Sequence, residues 1–320
     1  SSVPGHSAEF CERYTEVTEE QWANCDAVVS VNDIPEEYRQ KMTKCRIFVT
    51  PKVGFDNIDG KAWADMGIPL CNVPDYGTQE VADHAMALML SLMKGITFHT
   101  RELKQDPRGL WRPALNPYGK RLSACTFGVV GLGRIGTAAV LRAKAFGMHV
   151  IAFDPYVSEL TISDDGVEPV SMDELLSRSD YLSVHAPHNE ETHHSFSTDA
   201  FAKMKDTAVV VNTARGPIID EAALIVALHD KVIAGAGLDV LEQEPPSADN
   251  PLLHMENVLV SPHVASATTR MRPETRRRVG REVALVLRGR WPMSCVNPTV
   301  LPKVQLERWQ PYPMNRGPNR

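Results

Sequence analysis

The chain has 320 residues, 43% hydrophobic and 23% charged, which is the composition of a folded globular protein of about two domains. Its net charge of −6 is mild, so no positive field covers the whole chain and we expect no nucleic-acid partner. The longest apolar run, residues 85–93, is too short to span a bilayer, so we also expect no membrane partner.

Cysteine usage and the start of the chain bear on the cellular compartment. The six cysteines are scattered singly, without a C-x-x-C pair or a ladder of close spacings. The first residues also lack the basic, apolar and small-residue regions of an export signal. A reduced protein in the cytoplasm is therefore predicted, with no metal site. The cysteines are Cys11, Cys25, Cys45, Cys71, Cys125 and Cys295.

The first part of the chain alternates short β-branched runs with helical patterns. Strands are predicted at residues 27–31, 46–50 and 68–73, separated by helices at 35–42 and 61–67. A longer helix is predicted next, because apolar residues recur at helical spacing. These residues are Val81, Ala85, Leu88, Met89 and Leu92. Alternating strands and helices predict an α/β fold, with a parallel sheet covered on both faces.

A second and longer alternating series begins near residue 126. Its helices include one that ends near Phe146, one that Ser171 and Glu174 open as a capping box, and one at 221–228. The predicted strands lie at 126–132, 149–153, 181–185, 208–212, 234–240 and 257–261. This order is typical of a Rossmann-like domain.

The C-terminal part has a different pattern. A long basic helix is predicted at 267–288, followed by a proline-rich tail that we interpret as an extended surface arm. Six arginines lie between Arg270 and Arg281, but Glu274 and Glu282 interrupt them. This pattern favours a solvated or subunit-facing helix face over a nucleic-acid contact.

A glycine-rich turn follows the strand that begins the second series. Gly131, Gly133 and Gly136 form a G-x-G-x-x-G motif that opens a helix, and Asp154 ends the next strand about 20 residues further on. In a dinucleotide-binding fold these glycines allow a tight turn, close approach of the pyrophosphate and helix packing. An acid at the position of Asp154 accepts hydrogen bonds from ribose hydroxyls and repels a 2′-phosphate. NAD is therefore the predicted cofactor, with NADH preferred over NADPH.

Three later strands each lead into a charged or titratable residue. Arg215, Glu244 and His263 follow successive strands, and ligands bind at the carboxyl ends of strands in open α/β sheets. A guanidinium binds a carboxylate with two parallel hydrogen bonds, and an imidazole donates a proton to an alkoxide. A neighbouring carboxylate favours the protonated imidazole. Together they predict a site for hydride transfer to a 2-oxo acid.

Besides the glycine loop, six further motifs lie between Ala27 and Pro298. They are VGFDNID (53–59), GIPLCNVP (67–74), VADH (81–84), VNTARGPIIDEAAL (211–224), GAGLDVLEQEPP (235–246) and NPLLHMENVLVSPHVASAT (250–268). In this order and over nearly the whole chain, the motifs resemble those of the NAD-dependent D-2-hydroxyacid dehydrogenase family, which includes phosphoglycerate dehydrogenases and the C-terminal-binding-protein corepressors.

The resemblance implies two Rossmann-like or flavodoxin-like parallel-sheet domains with the active site in a cleft between them. Residues 1–76 and 267–320 would form the substrate-binding domain, and 77–266 the NAD-binding Rossmann domain. The resemblance also implies a homodimer and reversible reduction of a small 2-oxo acid to the D-2-hydroxy acid, with the proton from His263. Another strand precedes residue 27 in the family, and the sequence leaves open whether residues 9–18 supply it.

The resemblance further implies a role for each site residue. Arg215 binds the substrate, Glu244 pairs with His263, and the backbone of Val53 and Gly54 holds the substrate carboxylate. Asp239 would bind the carboxamide of the nicotinamide. The implied cofactor contacts are Thr78, Gly131, Gly133, Arg134, Ile135, Gly136, Asp154, His185, Pro187, Thr213, Asp239, His263 and Ala265.

Departures from the family pattern leave alternatives open. Phosphoglycerate dehydrogenases carry an arginine shortly before the D-N-I-D motif. The corresponding residues here, 50–54, read T-P-K-V-G and contain no arginine, which makes a phosphorylated substrate less favoured. Lys52 either supplies a second cation to the pocket or extends into solvent. The main alternative function is a corepressor-like, NAD(H)-sensing dimeric binding protein with little turnover, although Val264 departs from the corepressor pattern after His263. Oxidation of an oxyanion such as phosphite also stays open.

Overall fold

Short parallel strands alternate with helices throughout the computed structural model, which describes residues 4–106, 108, 111 and 119–308. The chain divides into two compact units. Unit 1 comprises Ser1–Tyr76 with Thr269–Arg320, and unit 2 comprises Gly77–Thr268. Within the described residues, no helix is long and apolar enough to cross a membrane.

The strands are β1 (Val28–Val29), β2 (Phe48–Val49), β3 (Leu70–Cys71), β4 (Thr126–Val130), β5 (His149–Phe153), β6 (Glu168–Pro169), β7 (Tyr181–Val184), β8 (Val209–Asn212), β9 (Gly235–Leu238) and β10 (Val258–Val260). The helices are α1 (Glu19–Asn24), α2 (Glu36–Arg39), α3 (Gly60–Asp65), α4 (Thr78–Lys94), α5 (Ile96–Gln105), α6 (Arg134–Ala145), α7 (Glu159–Asp164), α8 (Met172–Arg178), α9 (Thr198–Ala202), α10 (Glu221–His229) and α11 (Met271–Leu287).

Unit 1 contains β1, β2 and β3, which pair in parallel in that order among its described residues. Trp63 of α3 is fully buried against Phe48 of β2, with ring centroids 4.4 Å apart, and its indole N–H donates to Asp33 over 2.9 Å. The side chain of Asp59 caps α3 by accepting from the Ala62 amide. Aromatic packing and a capped helix thus fix the register of the small sheet.

A buried asparagine connects the two separated parts of unit 1. Asn297 accepts a hydrogen bond from the Leu70 amide over 2.8 Å, and its side-chain amide donates to the carbonyls of Gly60 and Ile68. The C-terminal part therefore satisfies backbone groups at β3 that would otherwise be buried without partners.

The N-terminal segment of unit 1 is not a strand. Residues 9–18 contain a 3-10 turn, Tyr14–Glu16, and no strand occurs within residues 4–26. Most side chains of this segment are exposed, including Phe10 at 91%. A strand here would bury almost no apolar surface to offset the entropy of ordering it.

Unit 2 has a seven-stranded parallel sheet within its described residues, in the order β10-β9-β8-β7-β4-β5-β6. The strand order reverses at β4, which lies between β5 and β7, so the loops after β4 and β7 form the crevice where doubly wound sheets bind ligands. The predicted α/β, Rossmann-like architecture is confirmed.

Helix α4 packs on the sheet of unit 2. All five of its predicted core residues are buried, and Leu88 lies so close to β9 that a Cβ on Gly237 would come within 2.9 Å of it. The predicted capping box at the start of α8 is also confirmed, with Ser171 and Glu174 each bonded to the other's backbone.

Two expectations for the C-terminal part are wrong. Helix α11 begins at Met271 rather than Ala267, because Pro273 lacks an N–H and is tolerated only in a first helical turn. The tail is not wholly an extended arm, since Pro298–Lys303 is a 3-10 helix with Val300 and Leu301 buried. Residues 309–320 lie outside the described residues.

The basic face of α11 is partly neutralised within unit 1. Arg277 and Arg278 both bond to Glu274, and Arg278 also pairs with Asp75 at 2.9 Å. These pairs support the prediction of a solvated face rather than a nucleic-acid contact.

Candidate active site

The first and third glycines of the loop after β4 are required by sterics. Gly131 has a φ of +89°, and a Cβ on it would lie 2.8 Å from the Ala186 amide nitrogen. A Cβ on Gly136 would lie 2.0 Å from the Gly131 carbonyl oxygen. Strand, turn and helix α6 therefore approach more closely than any side chain allows.

The second glycine faces open space. A Cβ on Gly133 would meet no atom within 4 Å, and Gly133 directly precedes Arg134 and Ile135, the first residues of α6. The amides of a first helical turn have no partner within the helix and carry the positive end of the helix dipole. This space at the start of a twelve-residue helix fits a cofactor pyrophosphate.

Asp154 at the end of β5 holds the glycine loop. One carboxylate oxygen accepts from the Leu132 amide over 2.7 Å, and the other accepts from the Tyr156 amide over 2.9 Å. A carboxylate has about four acceptor positions, so Asp154 retains capacity for ribose hydroxyls. Its charge lies beside the turn where an adenosine ribose would sit in this fold.

Other predicted cofactor contacts also belong to unit 2. The hydroxyls of Thr78, at the start of α4, and Thr213, after β8, are buried without a hydrogen-bond partner in the described part of the chain. Buried polar atoms of this kind are usually satisfied, so a bound group that supplies partners fits them. His185 and Pro187 lie in the loop after β7, and the backbone of His185 and Ala186 lies against Gly131.

His185 gives the fold a dependence on pH. Burial lowers the pKa of His185 to about 4, so the ring is neutral in the folded protein at pH 5, whereas an unfolded histidine is largely protonated there. Its contribution to stability is therefore lost as pH falls from about 6.5 toward 4.

We expect His185→Gln to flatten the fall in the free energy of unfolding between pH 6.5 and 4, measured by urea denaturation. His229→Gln, which changes an exposed histidine of the same unit, should leave the slope unchanged. Identical slopes for wild type and His185→Gln would contradict the prediction.

The predicted histidine–glutamate pair is in direct contact. His263 Nδ1 lies 2.6 Å from Glu244 Oε2, and the other carboxylate oxygen of Glu244 accepts from the Leu241 amide over 3.1 Å. Glu244 is thus held at both oxygens, and its contact with His263 uses Nδ1 and not Nε2. Half of the His263 side chain is exposed, as a proton donor to a substrate requires.

The buried carboxylate of Asp239 shapes the turn that carries His263. One oxygen accepts from the Ser261 hydroxyl and the Val264 amide, and the other accepts from the Ala265 amide, at 2.6 to 3.0 Å. Asp239 is 1% exposed, and His263 within this turn has a φ of +52°. These bonds stabilise a backbone conformation that is unfavourable for a non-glycine residue. Binding of the nicotinamide carboxamide by Asp239 stays a prediction.

His84 extends this network to α4. Its Nε2 lies 2.7 Å from the Ser261 hydroxyl and 3.4 Å from Asp239. Neither His84 nor Ser261 has a role predicted from the sequence, and the V-A-D-H motif is the signal that marks His84.

Arg215 lies after β8, beside the strands that carry Glu244 and His263. The Asn212 side chain holds its backbone by donating to the Arg215 carbonyl over 2.8 Å, and the guanidinium donates to the Ala214 carbonyl over 2.7 Å. A Cβ on the next residue, Gly216, would lie 1.9 Å from the Leu241 carbonyl oxygen. The arginine loop is therefore packed backbone to backbone against the loop that leads to Glu244.

The predicted carboxylate-binding loop belongs to unit 1 and is held by Asn72. The Asn72 side chain donates to the Val53 carbonyl over 2.7 Å, and the Val73 amide donates to the Lys52 carbonyl. Within the described residues, the amides of Val53 and Gly54 have no acceptor. Two adjacent amides of this kind suit an anion. Asn72 had not been assigned a role from the sequence.

Lys52 is anchored by its neighbours in unit 1. Its ammonium donates to the Asn57 side chain over 2.6 Å, and Asn57 in turn bonds to Asn32. A direct role of Lys52 in the substrate pocket stays a prediction.

Comparison with known proteins identifies the family. The family model described as "D-isomer specific 2-hydroxyacid dehydrogenase, NAD binding domain" matches residues 86–265. This range includes the glycine loop, Arg215, Glu244 and His263. The chain belongs to this dehydrogenase family. It is accordingly an NAD-dependent oxidoreductase, and the cofactor assignment is confirmed for NAD(H) as such.

Two curated relatives illustrate the range of the family. The dehydrogenase is 39% identical over 287 residues to a glyoxylate reductase of Korarchaeum cryptofilum, covering 88% of this chain and 86% of that protein. It is 38% identical over 290 residues to a D-3-phosphoglycerate dehydrogenase of Methanocaldococcus jannaschii, covering 89% of this chain but 54% of that longer protein.

Solved structures share the fold. A D-lactate dehydrogenase of Aquifex aeolicus in complex with NAD and lactic acid has a TM-score of 0.75 and 30% identity, over 86% of this chain and 87% of that one. An acyclic imino acid reductase in complex with NADPH and D-Arg has a TM-score of 0.76 and 27% identity, over 87% of this chain and 89% of that one.

Proposed function

We propose that the dehydrogenase catalyses reversible reduction of a small 2-oxo acid to the D-2-hydroxy acid, with NADH as the hydride donor and His263 as the proton donor. The observation that carries this proposal is the contact of 2.6 Å between His263 Nδ1 and Glu244, at the carboxyl ends of β9 and β10. Glu244 fixes the ring so that its other nitrogen serves the substrate.

Each proposed role follows from the chemistry of the group. A bound nicotinamide would supply the hydride to the carbonyl carbon, and His263 would donate the proton that the carbonyl oxygen takes up. In the oxidation direction the neutral imidazole accepts that proton. Arg215 binds the carboxylate and polarises the adjacent carbonyl, because its planar group offers parallel donors. The amides of Val53 and Gly54 are proposed as further carboxylate donors.

Preference for NADH is proposed from the charge at the end of β5. Asp154 places a carboxylate at the expected ribose position, and residues 155–165 contain no lysine or arginine to offset it. A 2′-phosphate would meet repulsion there, at a cost of one or more factors of ten in affinity. The predicted cytoplasmic location, which rests on the cysteine usage, and the predicted homodimer, which rests on the family resemblance, belong to the same proposal.

A kinetic panel tests the function. The assay follows NADH oxidation with glyoxylate, pyruvate, hydroxypyruvate, phenylpyruvate and 2-oxoisocaproate, and then repeats the best substrate with NADPH. We expect rapid NADH oxidation with at least one of the acids. For the best substrate, kcat/KM should be at least tenfold higher with NADH than with NADPH. In Asp154→Ala, the ratio of kcat/KM with NADH to kcat/KM with NADPH should be smaller than in the wild type.

The panel also separates the enzyme from the main alternative. Tight NADH binding with negligible turnover on every acid would contradict the proposed reaction and support a corepressor-like binding protein. Higher kcat/KM with NADPH would contradict the proposed cofactor preference alone.

A further inference from the structure

Two cysteines that lie far apart in sequence are direct neighbours in unit 1. Cys71 of β3 forms an antiparallel bridge with Cys295. The flanking hydrogen bonds run from the Asn72 amide to the Ser294 carbonyl over 3.3 Å and from the Val296 amide to the Leu70 carbonyl over 2.8 Å. The two cysteines are therefore a non-hydrogen-bonded pair, since the bonds join the residues on either side of them.

This pairing has the geometry that a disulfide needs. In a non-hydrogen-bonded antiparallel pair the Cα atoms are about 4.5 Å apart and the side chains approach closely. Disulfides span Cα separations of about 4.4 to 6.8 Å. Both thiols belong to one apolar cluster of unit 1, together with Ile47, Val49 and Val286. A bond between the two sulfur atoms therefore requires little backbone movement.

The two thiols differ in exposure and acidity. Cys71 is fully buried, whereas Cys295 is partly exposed. Interaction with the neighbouring thiol lowers the pKa of Cys295 and, together with burial, raises the pKa of Cys71. The Cys295 thiol itself donates to the side-chain oxygen of Asn297 over 3.3 Å. Cys295 is therefore the thiol that meets and attacks an oxidant, because the thiolate is the nucleophile.

The surrounding contacts hold this pair in place. The buried carboxylate of Glu282 on α11 accepts from the Met293 amide over 2.7 Å and from the Ser294 amide over 3.3 Å. The Ser294 hydroxyl donates to the Asn72 carbonyl over 2.6 Å, across 222 positions of sequence. Cys295 is thus presented to Cys71 by a fixed backbone rather than by a free end.

We propose that Cys71 and Cys295 form a reversible disulfide when the dehydrogenase meets hydrogen peroxide, and that this bond locks the two separated parts of unit 1 together. The Cys295 thiolate attacks one peroxide oxygen, breaks the O–O bond and becomes a sulfenic acid, and the leaving hydroxide takes a proton to give water. The Cys71 thiol then attacks that sulfur, the S–S bond forms, and a second water leaves. Two thiols are oxidised and one peroxide is reduced to two waters.

The bond has a predictable physical effect. It closes a very long loop, because all of unit 2 lies between the two cysteines, and the entropy lost by the unfolded chain grows with loop length. Oxidation should therefore stabilise unit 1 without displacing Asn72 or the loop at Val53. This inference does not depend on the identity of the substrate.

Peptide mapping and thermal melting of the full chain test the proposal. The protein is treated with hydrogen peroxide, alkylated, digested without reductant and analysed by mass spectrometry, and a parallel sample is melted before and after treatment with dithiothreitol. We expect a crosslinked Cys71–Cys295 peptide and a Tm higher by roughly 5 to 10 °C, both reversed by dithiothreitol. Turnover of the best 2-oxo acid should stay within about twofold.

Single-cysteine variants provide the control. The gain in Tm should disappear in Cys295→Ser and persist in Cys25→Ser, which changes a cysteine of a different cluster of unit 1, the one that contains Cys25 and Cys45. Failure to find the crosslinked peptide in oxidised wild type would overturn the proposal whatever the variants do. A gain in Tm that persists in Cys295→Ser would overturn the locking role.

Discussion

Replacing His263 with alanine is expected to lower kcat for reduction of the best 2-oxo acid by about 10²- to 10⁴-fold, the usual contribution of a positioned acid or base. The side chain is half exposed and contacts the protein mainly through Glu244, so its loss should leave the fold intact. The Kd for NADH, measured by fluorescence titration, should change far less than kcat, because His263 is one of many implied cofactor contacts. The expected effect is therefore on the chemical step rather than on cofactor binding.

Two further variants make this prediction specific. Glu244→Gln keeps the size of the side chain and removes its charge, so we expect an intermediate loss of kcat and a displaced pH profile. His254→Ala changes an exposed histidine of unit 2 whose ring contacts the Ala248 carbonyl, and it should retain wild-type kcat. Near-normal turnover by His263→Ala would exclude His263 as the proton donor.

Replacing Arg215 with alanine is the second large expected effect. Removing one partner of a charge-assisted pair with the substrate carboxylate costs about 2 to 5 kcal/mol, so kcat/KM for the 2-oxo acid should fall by about 30- to 5,000-fold. Arg215→Lys keeps the charge but loses the two parallel donors, and it should recover only part of this loss. Steady-state kinetics with a titration of NADH binding provide the measurement.

The control for Arg215 is an arginine at the opposite edge of the sheet. Arg121 is exposed and precedes β4, at the amino ends of the strands, so Arg121→Ala should leave kcat/KM unchanged. If Arg215→Ala and Arg121→Ala have the same kcat/KM, Arg215 does not bind the substrate carboxylate.

Local sequence signals were sufficient for the architecture of unit 2. The glycine loop, the capping box at Ser171 and the apolar spacing along α4 each involve residues close in sequence, where propensity and sterics act directly. Where a strong local signal was overlooked, the prediction was wrong: Pro273 moves the start of α11 to Met271.

Local sequence signals could not predict contacts between residues that lie far apart in the sequence. The cysteines are scattered singly along the sequence, which indicates six separate thiols. Nothing within a few residues of Cys71 indicates that Cys295 lies opposite it. Likewise, the three bonds to Asp239 and the bond from Asn72 to Val53 depend on how loops meet after folding. The pairing of His263 with Glu244 was predictable only because parallel strands end at one edge.

The bonds of Asn297 have a consequence for biosynthesis. A ribosome delivers Gly60, Ile68 and Leu70 long before it delivers Asn297, whose side chain binds all three. In the nascent chain the edge of β3 therefore stays uncovered while the whole of unit 2 is translated and becomes free to fold first. Any chain that stalls in that interval exposes an unpaired strand edge to chaperones and proteases.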